Sequence, residues 1–326
     1  MADAVANPPT SIKAVPVRHP GRWVAAIIVL AIAANIIYTI VIAVQNDRTQ
    51  SGSGWAAVAH YLFNPLILQG ILVTLELTVL AMVIGISLGI ILAVMRLSPN
   101  WVMAWISWIY IWFFRGTPVL VQIFFWFNLN LVLHSIGIGI PFTSLHWQVS
   151  TNSLITPFMA AMLGLGLNEA AYMAEIVRAG IISVEHGQTE AAQALGMDRM
   201  LVMQRIVLPQ AMRVIIPPTG NETISMLKTT SLAFTATVTE LFTRQQQIAT
   251  ATYEVLELLI VASIWYLVMT SILTVGQYYI ERHFGRGSLR GQPMTPFQRF
   301  RKMLFTFHAP PPSPEESQLS LGTDHR

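Results

Sequence analysis

No cysteine occurs in this 326-residue chain, so a disulfide, a thiolate metal site, an iron–sulfur cluster and a cysteine nucleophile are all excluded. Charge is scarce too. Only 11% of residues are Asp, Glu, Lys or Arg, against roughly 25% in soluble domains, and 54% are hydrophobic, which makes this an integral membrane protein. The sequence has neither a GxxxxGK[ST] phosphate loop nor an HExxH zinc motif, so the chain cannot supply ATP hydrolysis by itself. The charges that remain are segregated: residues 66–95 contain one ionisable side chain, Glu76, whereas residues 282–302 contain six Arg or Lys. The net charge of +3 therefore sets orientation in a bilayer, and no nucleic-acid partner is expected.

A helix needs about 20 apolar residues to cross a bilayer. Residues 23–44, 66–95, 118 to about 137, 154 to about 177 and 256–279 meet that requirement. A weaker segment, 222–242, carries Lys228 and many threonines. Basic residues flank the first span, follow the second at Arg96, surround the block 178–213 and follow the last span. If all four groups are cytoplasmic, the chain must cross once between Arg213 and Leu256, and only 222–242 can do so. Six spans result, with both termini inside. Residues 45–65, about 138–153 and a short turn near Arg244 then lie outside, and five spans would instead export the basic tail.

The block 187–211, GQTEAAQALGMDRMLVMQRIVLPQA, is soluble-looking inside an oily chain. It reads as two short helices: Gln188 or Thr189 starts the first, Glu190 complements its positive end, and Gly196 ends it. A second turn runs from Asp198 to Pro209, and Pro217-Pro218 predict a break, hence a hinge, before the next span. Ala191, Ala192 and Ala194 allow close approach of another protein surface, and Leu195 can fill a pocket in it. With Gly196, Ile206, Leu208 and Pro209 at their spacing, this block resembles the EAA loop of the membrane subunits of ABC importers.

Further blocks extend the likeness over about two-thirds of the chain. LILQGILVTLELTVLA at 66–81, FRGTPVLVQIFF at 114–125, LNEAAYMAEIVRAGI at 167–181 and MLKTTSL at 226–232 resemble the polar amino-acid branch of the type I ABC importer permeases. That resemblance implies an all-α integral membrane protein, a core of about five spans (66–284) with the coupling loop at 187–211. An extra span at 23–44 makes about six transmembrane helices. Segments 1–22 and 45–65 precede the core, and the tail 285–326 follows it. The resemblance also implies two ATPase subunits docked on Glu190, Ala191, Ala192, Leu195, Gly196, Ile206, Leu208 and Pro209. A second permease, an extracytoplasmic solute-binding protein and an amino-acid cargo complete the implied assembly, in a bacterial inner membrane. No cofactor is expected on this chain; ATP and magnesium would sit on the partner.

Asn168, Tyr172 and Glu175 share one helical face, which should look inward because a carboxylate at bilayer depth costs about 2.5–3.5 kcal/mol. Glu175 either lines the substrate path or bonds Arg178, and Glu76 has the same two readings. Lys228 either contributes to the path or snorkels to the cytoplasmic edge as its span opens. Arg115 orders the cytoplasmic mouth, attracts anionic lipid or pairs with a carboxylate such as Glu175. Trp101, Trp105, Trp108 and Trp112 form one stripe, as expected of an interfacial helix.

Two other functions fit fragments of the sequence. Gly85-Ile86-Ser87-Leu88-Gly89 has the letters of a hydrolase nucleophile elbow, but it lies in a continuous apolar span where Gly85 and Gly89 make a helix-packing face. An ion-coupled secondary transporter could relay charge through Glu76, Glu175 and Lys228, yet it has no use for a docking elbow. The polar N-terminal residues and the proline-containing segment 308–326 read as flexible, and the intervening arginines as a topology-fixing or lipid-facing tail.

Overall fold

The computed structural model describes residues 20–46, 54–139 and 146–284; the expectations for 1–19 and for the tail 285–326 fall outside the described residues. The described chain is helical but for one small hairpin, β1 Ser135–Gly139 with β2 His146–Ser150, paired antiparallel with Ser135 opposite Ser150. Long apolar runs explain the helices: with no water inside a bilayer, each backbone amide must bond within its own segment. Four helical stretches are long and apolar enough to cross: Val24–Ile42, Pro65–Leu97, Arg199–Ala236 and Val255–Phe284. A fifth, α7 (Pro157–Ile182), has the length, at 26 residues, but carries Asn168, Glu169, Glu175 and Arg178.

Several expectations need correction. The third span is not one helix over 118–137: α4 (Trp101–Gly116) and α5 (Val119–Phe127) are bent by 99° at Thr117-Pro118. Nine residues of α5 cover only about 13 Å, short of a bilayer, but α4 and α5 together are long and apolar enough to make one broken span, which with α7 keeps the crossings at six. Pro118 has no amide hydrogen to continue α4, and Thr117 takes the extended conformation that a following proline enforces. The weak span starts much earlier than residue 222. Helix α10 (Leu208–Thr229) runs straight through Pro217 and Pro218 and continues as a 3₁₀ turn, Thr230–Ala236. The helix is therefore not broken at the predicted hinge: proline's φ is itself helical, and the Pro217 carbonyl takes a hydrogen bond from Gln277 Nε2 at 3.2 Å. Lys228 accordingly closes α10 in its last turn rather than opening a span, where it complements the negative end of the helix. The loops are also more ordered than expected. Residues 45–65 contain α2 (Gly54–Leu62), and the turn near Arg244 is α11, a 12-residue helix Leu241–Thr252.

The chain forms two compact units. One comprises Met1–Val79, Ile123–Met162 and Lys228–Val268. Here the Leu241 amide donates to Thr74 Oγ1 at 3.1 Å, fixing α11 on α3 (Pro65–Leu97), and Gly70 makes that approach possible. A Cβ on Gly70 would lie 2.8 Å from the Leu241 backbone. Trp265 Nε1 of α12 (Val255–Phe284) donates to the Leu62 carbonyl at 2.8 Å. Buried Glu240 caps α11 by accepting from the amides of Phe242 and Thr243, and Tyr266 also donates to it. Thr151 of the short helix α6 (Thr151–Leu154) donates to the Leu133 carbonyl beneath the hairpin.

The second unit comprises Leu80–Gln122, Leu163–Leu227 and Met269–Arg326. Its packing rests on small residues. A Cβ on Gly85 would stand 2.5 Å from Glu169 Cγ, and one on Gly89 2.6 Å from Met173 Cβ, so α3 and α7 meet nearly backbone to backbone. This is the helix-packing role expected of Gly85 and Gly89, and it leaves Ser87 inside an unbroken helix. Ser107 Oγ of α4 donates to the Leu92 carbonyl at 2.7 Å, and Leu92, Ile111, Ala170 and Ala174 form one cluster. The tryptophan stripe of α4 is left exposed.

Candidate functional site

The block 187–211 folds as a tight elbow in the second unit. Helix α8 (His186–Ala194) begins at His186, earlier than Gln188 or Thr189, with Glu185 at its N-cap position. Gly196 follows with φ +81°, the left-handed conformation that ends helices and that glycine alone adopts without strain. The Leu201 amide donates to Asp198 Oδ1 at 2.9 Å, opening α9 (Arg199–Val202) as the sequence predicted. The chain does not stop at Pro209. A π turn, Met203–Val207, joins α9 to α10 without a break, and Pro209 continues the helix as the second residue of α10, its fixed φ being helical.

Two classes of side chain result. Ala192, Val202 and Val207 are buried against one another, with Ile206, Ile181, Val184 and Met197 around them. This miniature core holds α8 against the π turn. Glu190, Ala191, Gly196, Leu208 and Pro209 are exposed, and Leu195 at the tip is 84% exposed. Leu195 is the most exposed of several large apolar side chains on the elbow, ahead of Met200, and gains nothing from its own fold.

The face of α7 that carries Asn168 meets the last turns of α4, while Tyr172 on the same face is exposed. Asn168 Nδ2 donates to the Phe114 carbonyl at 2.8 Å, and Tyr110 Oη donates to the Leu167 carbonyl at 2.8 Å. These side chains take up or cover backbone near the 117–118 break, and Gln122 Nε2 donates to the Phe114 and Thr117 carbonyls. The Arg115 guanidinium sits over the Tyr172 ring, 5.1 Å from its centroid, a cation–π arrangement. Arg115 thus meets Tyr172 and not Glu175. Glu175 accepts from Arg178 one turn along at 2.7 Å, and both side chains are about a third exposed or less.

Two acids that sequence reasoning passed over lie in this unit. Glu169 is only 4% exposed, and its Oε1 has no hydrogen-bond partner among the described residues. It feels the charge of Glu222 on α10, which in turn feels Arg115. Both acids follow an asparagine, Asn168-Glu169 and Asn221-Glu222, and Gln277 Nε2 of α12 donates to Asn221 Oδ1 at 3.0 Å. The rule that an ionisable residue in an apolar span marks function would have found them. Glu76 is placed elsewhere, exposed in the first unit beside a cavity of about 340 Å³ also lined by Thr156, Phe158, Thr237 and Thr239. Lys228 belongs to that first unit as well. No group of three or more metal-ligating side chains occurs among the described residues.

The sequence matches the family of binding-protein-dependent transport system inner membrane components over residues 85–286. It is 50% identical over 284 residues to the arginine transport system permease protein ArgU of Corynebacterium glutamicum, covering 86% of each chain. It is 36% identical to the L-cystine transport system permease protein TcyB of Bacillus subtilis, covering 69% of this chain and 88% of that one. Among solved structures, an amino acid ABC transporter with histidines superposes with a TM-score of 0.59 at 33% identity, over 69% of this chain and 97% of that chain. On these matches the chain belongs to the inner-membrane permease components of ABC importers.

Proposed function

We propose that this permease forms, with a second like permease, the membrane pathway of an ATP-driven importer for a polar or charged amino acid. ATP and magnesium are held by two separate ATPase subunits, and an extracytoplasmic binding protein delivers the cargo. Both termini and the elbow face the cytoplasm. The observation that carries this reading is the elbow itself: Gly196 fixes the corner, the Ala192–Val202–Val207 core makes it rigid, and Leu195 projects 84% exposed as the plug for a partner's pocket. Glu190, Ala191, Ile206, Leu208 and Pro209 complete the coupling surface and its support. The names of the relatives above support the amino-acid cargo, and arginine is the first to test. Asn168, Tyr172, Glu175, Glu76 and Lys228 stay as pathway residues in this proposal, and Glu169 and Glu222 join them.

The test reconstitutes the permease with its co-encoded ATPase and binding protein and follows radiolabelled arginine. Uptake is expected to require ATP, and Leu195→Asp is expected to abolish it while leaving the permease folded and inserted. Because the chain has no cysteine, a single Leu195→Cys reports orientation without background, and an impermeant maleimide should label it only from the cytoplasmic side. Uptake by the permease alone, driven by an ion gradient, would overturn this reading in favour of the ion-coupled alternative.

A further inference from the structure

The C-terminal end of α3 and the start of α4 enclose a pocket that neither the coupling elbow nor the pathway uses. Its volume is about 230 Å³, and it is lined by Arg96, Trp105 and Trp108. Arg96 stands in the last turn of α3, half-buried, and makes no hydrogen bond or ion pair among the described residues. A guanidinium carries five donors and stays charged at every physiological pH, so one left unpaired in a concave site is suited to an oxyanion. The two indoles form the wall beside it. Trp105 and Trp108 meet edge to face with centroids 5.4 Å apart, and Trp112 stacks on Trp108 at 6.3 Å, so the wall continues away from Arg96 as an exposed aromatic strip.

The pattern of one cation at the end of an apolar span, with an aromatic strip leading off from it, has the polarity of a phospholipid. The oxyanion is the headgroup phosphate, and the strip suits the glycerol backbone and first methylenes. Tryptophan favours that depth of the bilayer, and a basic side chain near the surface favours an anionic leaflet. Ser107 fixes the geometry from below by anchoring α4 to the Leu92 carbonyl, so the wall does not depend on a ligand to stay in place. We propose that Arg96, Trp105 and Trp108 form a binding site for one anionic phospholipid. The lipid seals the junction between α3 and α4, two turns before the bend that leads into α5.

The full-length permease, isolated with its partner subunits in mild detergent, is titrated with short-chain phosphatidylglycerol and, separately, with phosphatidylcholine and inorganic phosphate. Retained lipid is counted by native mass spectrometry. One phosphatidylglycerol should bind in preference to phosphatidylcholine. Arg96→Gln should weaken that binding about tenfold, the scale of one charge-assisted hydrogen bond, and Arg96→Lys should restore part of it. Trp108→Leu should weaken binding of both lipids, and Arg213→Gln, an exposed arginine elsewhere, should change nothing. Equal binding of the two lipids, or phosphatidylglycerol binding indifferent to Arg96→Gln in a normally folded protein, would overturn the proposal. Displacement of the lipid by millimolar inorganic phosphate would assign the site to a free anion and overturn it equally. So would loss of a partner subunit in Arg96→Gln with lipid binding intact.

Discussion

Two glycines differ in what a single methyl group would meet. At Gly89 a Cβ would lie 2.6 Å from Met173 Cβ and 3.1 Å from the Ala170 carbonyl oxygen, whereas at Gly276 nothing stands within 4 Å. Gly89→Ala should therefore cost about 1–3 kcal/mol by overpacking a helix junction, and Gly276→Ala, in open space inside α12, should raise stability by about 0.5–1 kcal/mol. Melting of the two variants in detergent, followed by size-exclusion fluorescence, separates these outcomes; equal melting points would refute the close α3–α7 approach. Gly196 poses a different problem, since space around it is open and its φ of +81° is the obstacle. Gly196→Val should strain the corner by at least about 1–2 kcal/mol, misdirecting Leu195 rather than unfolding the protein. Its signature is normal expression with ATP hydrolysis no longer linked to uptake, and normal uptake would contradict it.

At the scale of elements, Asp198 carries a four-residue helix, α9, by one side-chain hydrogen bond. Asp198→Ala should remove about 1 kcal/mol, or roughly fivefold of hydrogen-exchange protection, over residues 199–202. Protection equal to wild type would show that Val202 and Val207 hold the turn without the cap. Much of the elbow could be read from the sequence, because its signals are local: Gly196 needs no neighbour to terminate a helix, and Asp198 caps the residues beside it. The tryptophan stripe and the Gly85–Gly89 face were equally legible, being periodicities of single helices. What could not be read depends on neighbours far along the chain. Pro217 and Pro218 signal a break, yet α10 passes through them, and Gln277 Nε2 donates to the Pro217 carbonyl from 60 residues away. Periodicity does not single out Glu169, because it lies off the face shared by Asn168, Tyr172 and Glu175; Gly85, which makes room for it, lies 84 positions earlier.

For the whole molecule, helix α1 (Pro20–Asn46) stands apart: no residue in Val24–Ile42 is buried, and its link to α2 includes Trp55 Nε1 donating to the Val41 carbonyl at 3.3 Å. Removing residues 1–46 should then shift the melting temperature by no more than about 4 °C, the effect of roughly 1 kcal/mol in a domain this large, and leave the remaining spans inserted. A larger drop would mean that the N-terminal span is part of the core. The π turn Met203–Val207 lies between the elbow and α10. A π turn holds one residue more than an α turn, and absorbing that residue would rotate everything downstream by about 100° and draw it in by about 1.5 Å. Spin labels on cysteines replacing Leu195 and Val214 would report such a step as a second distance when the ATPase binds nucleotide, and a single unchanged distance would exclude it. Such a step would make the link between elbow and span a one-residue gear, passing on a push as a turn of fixed size.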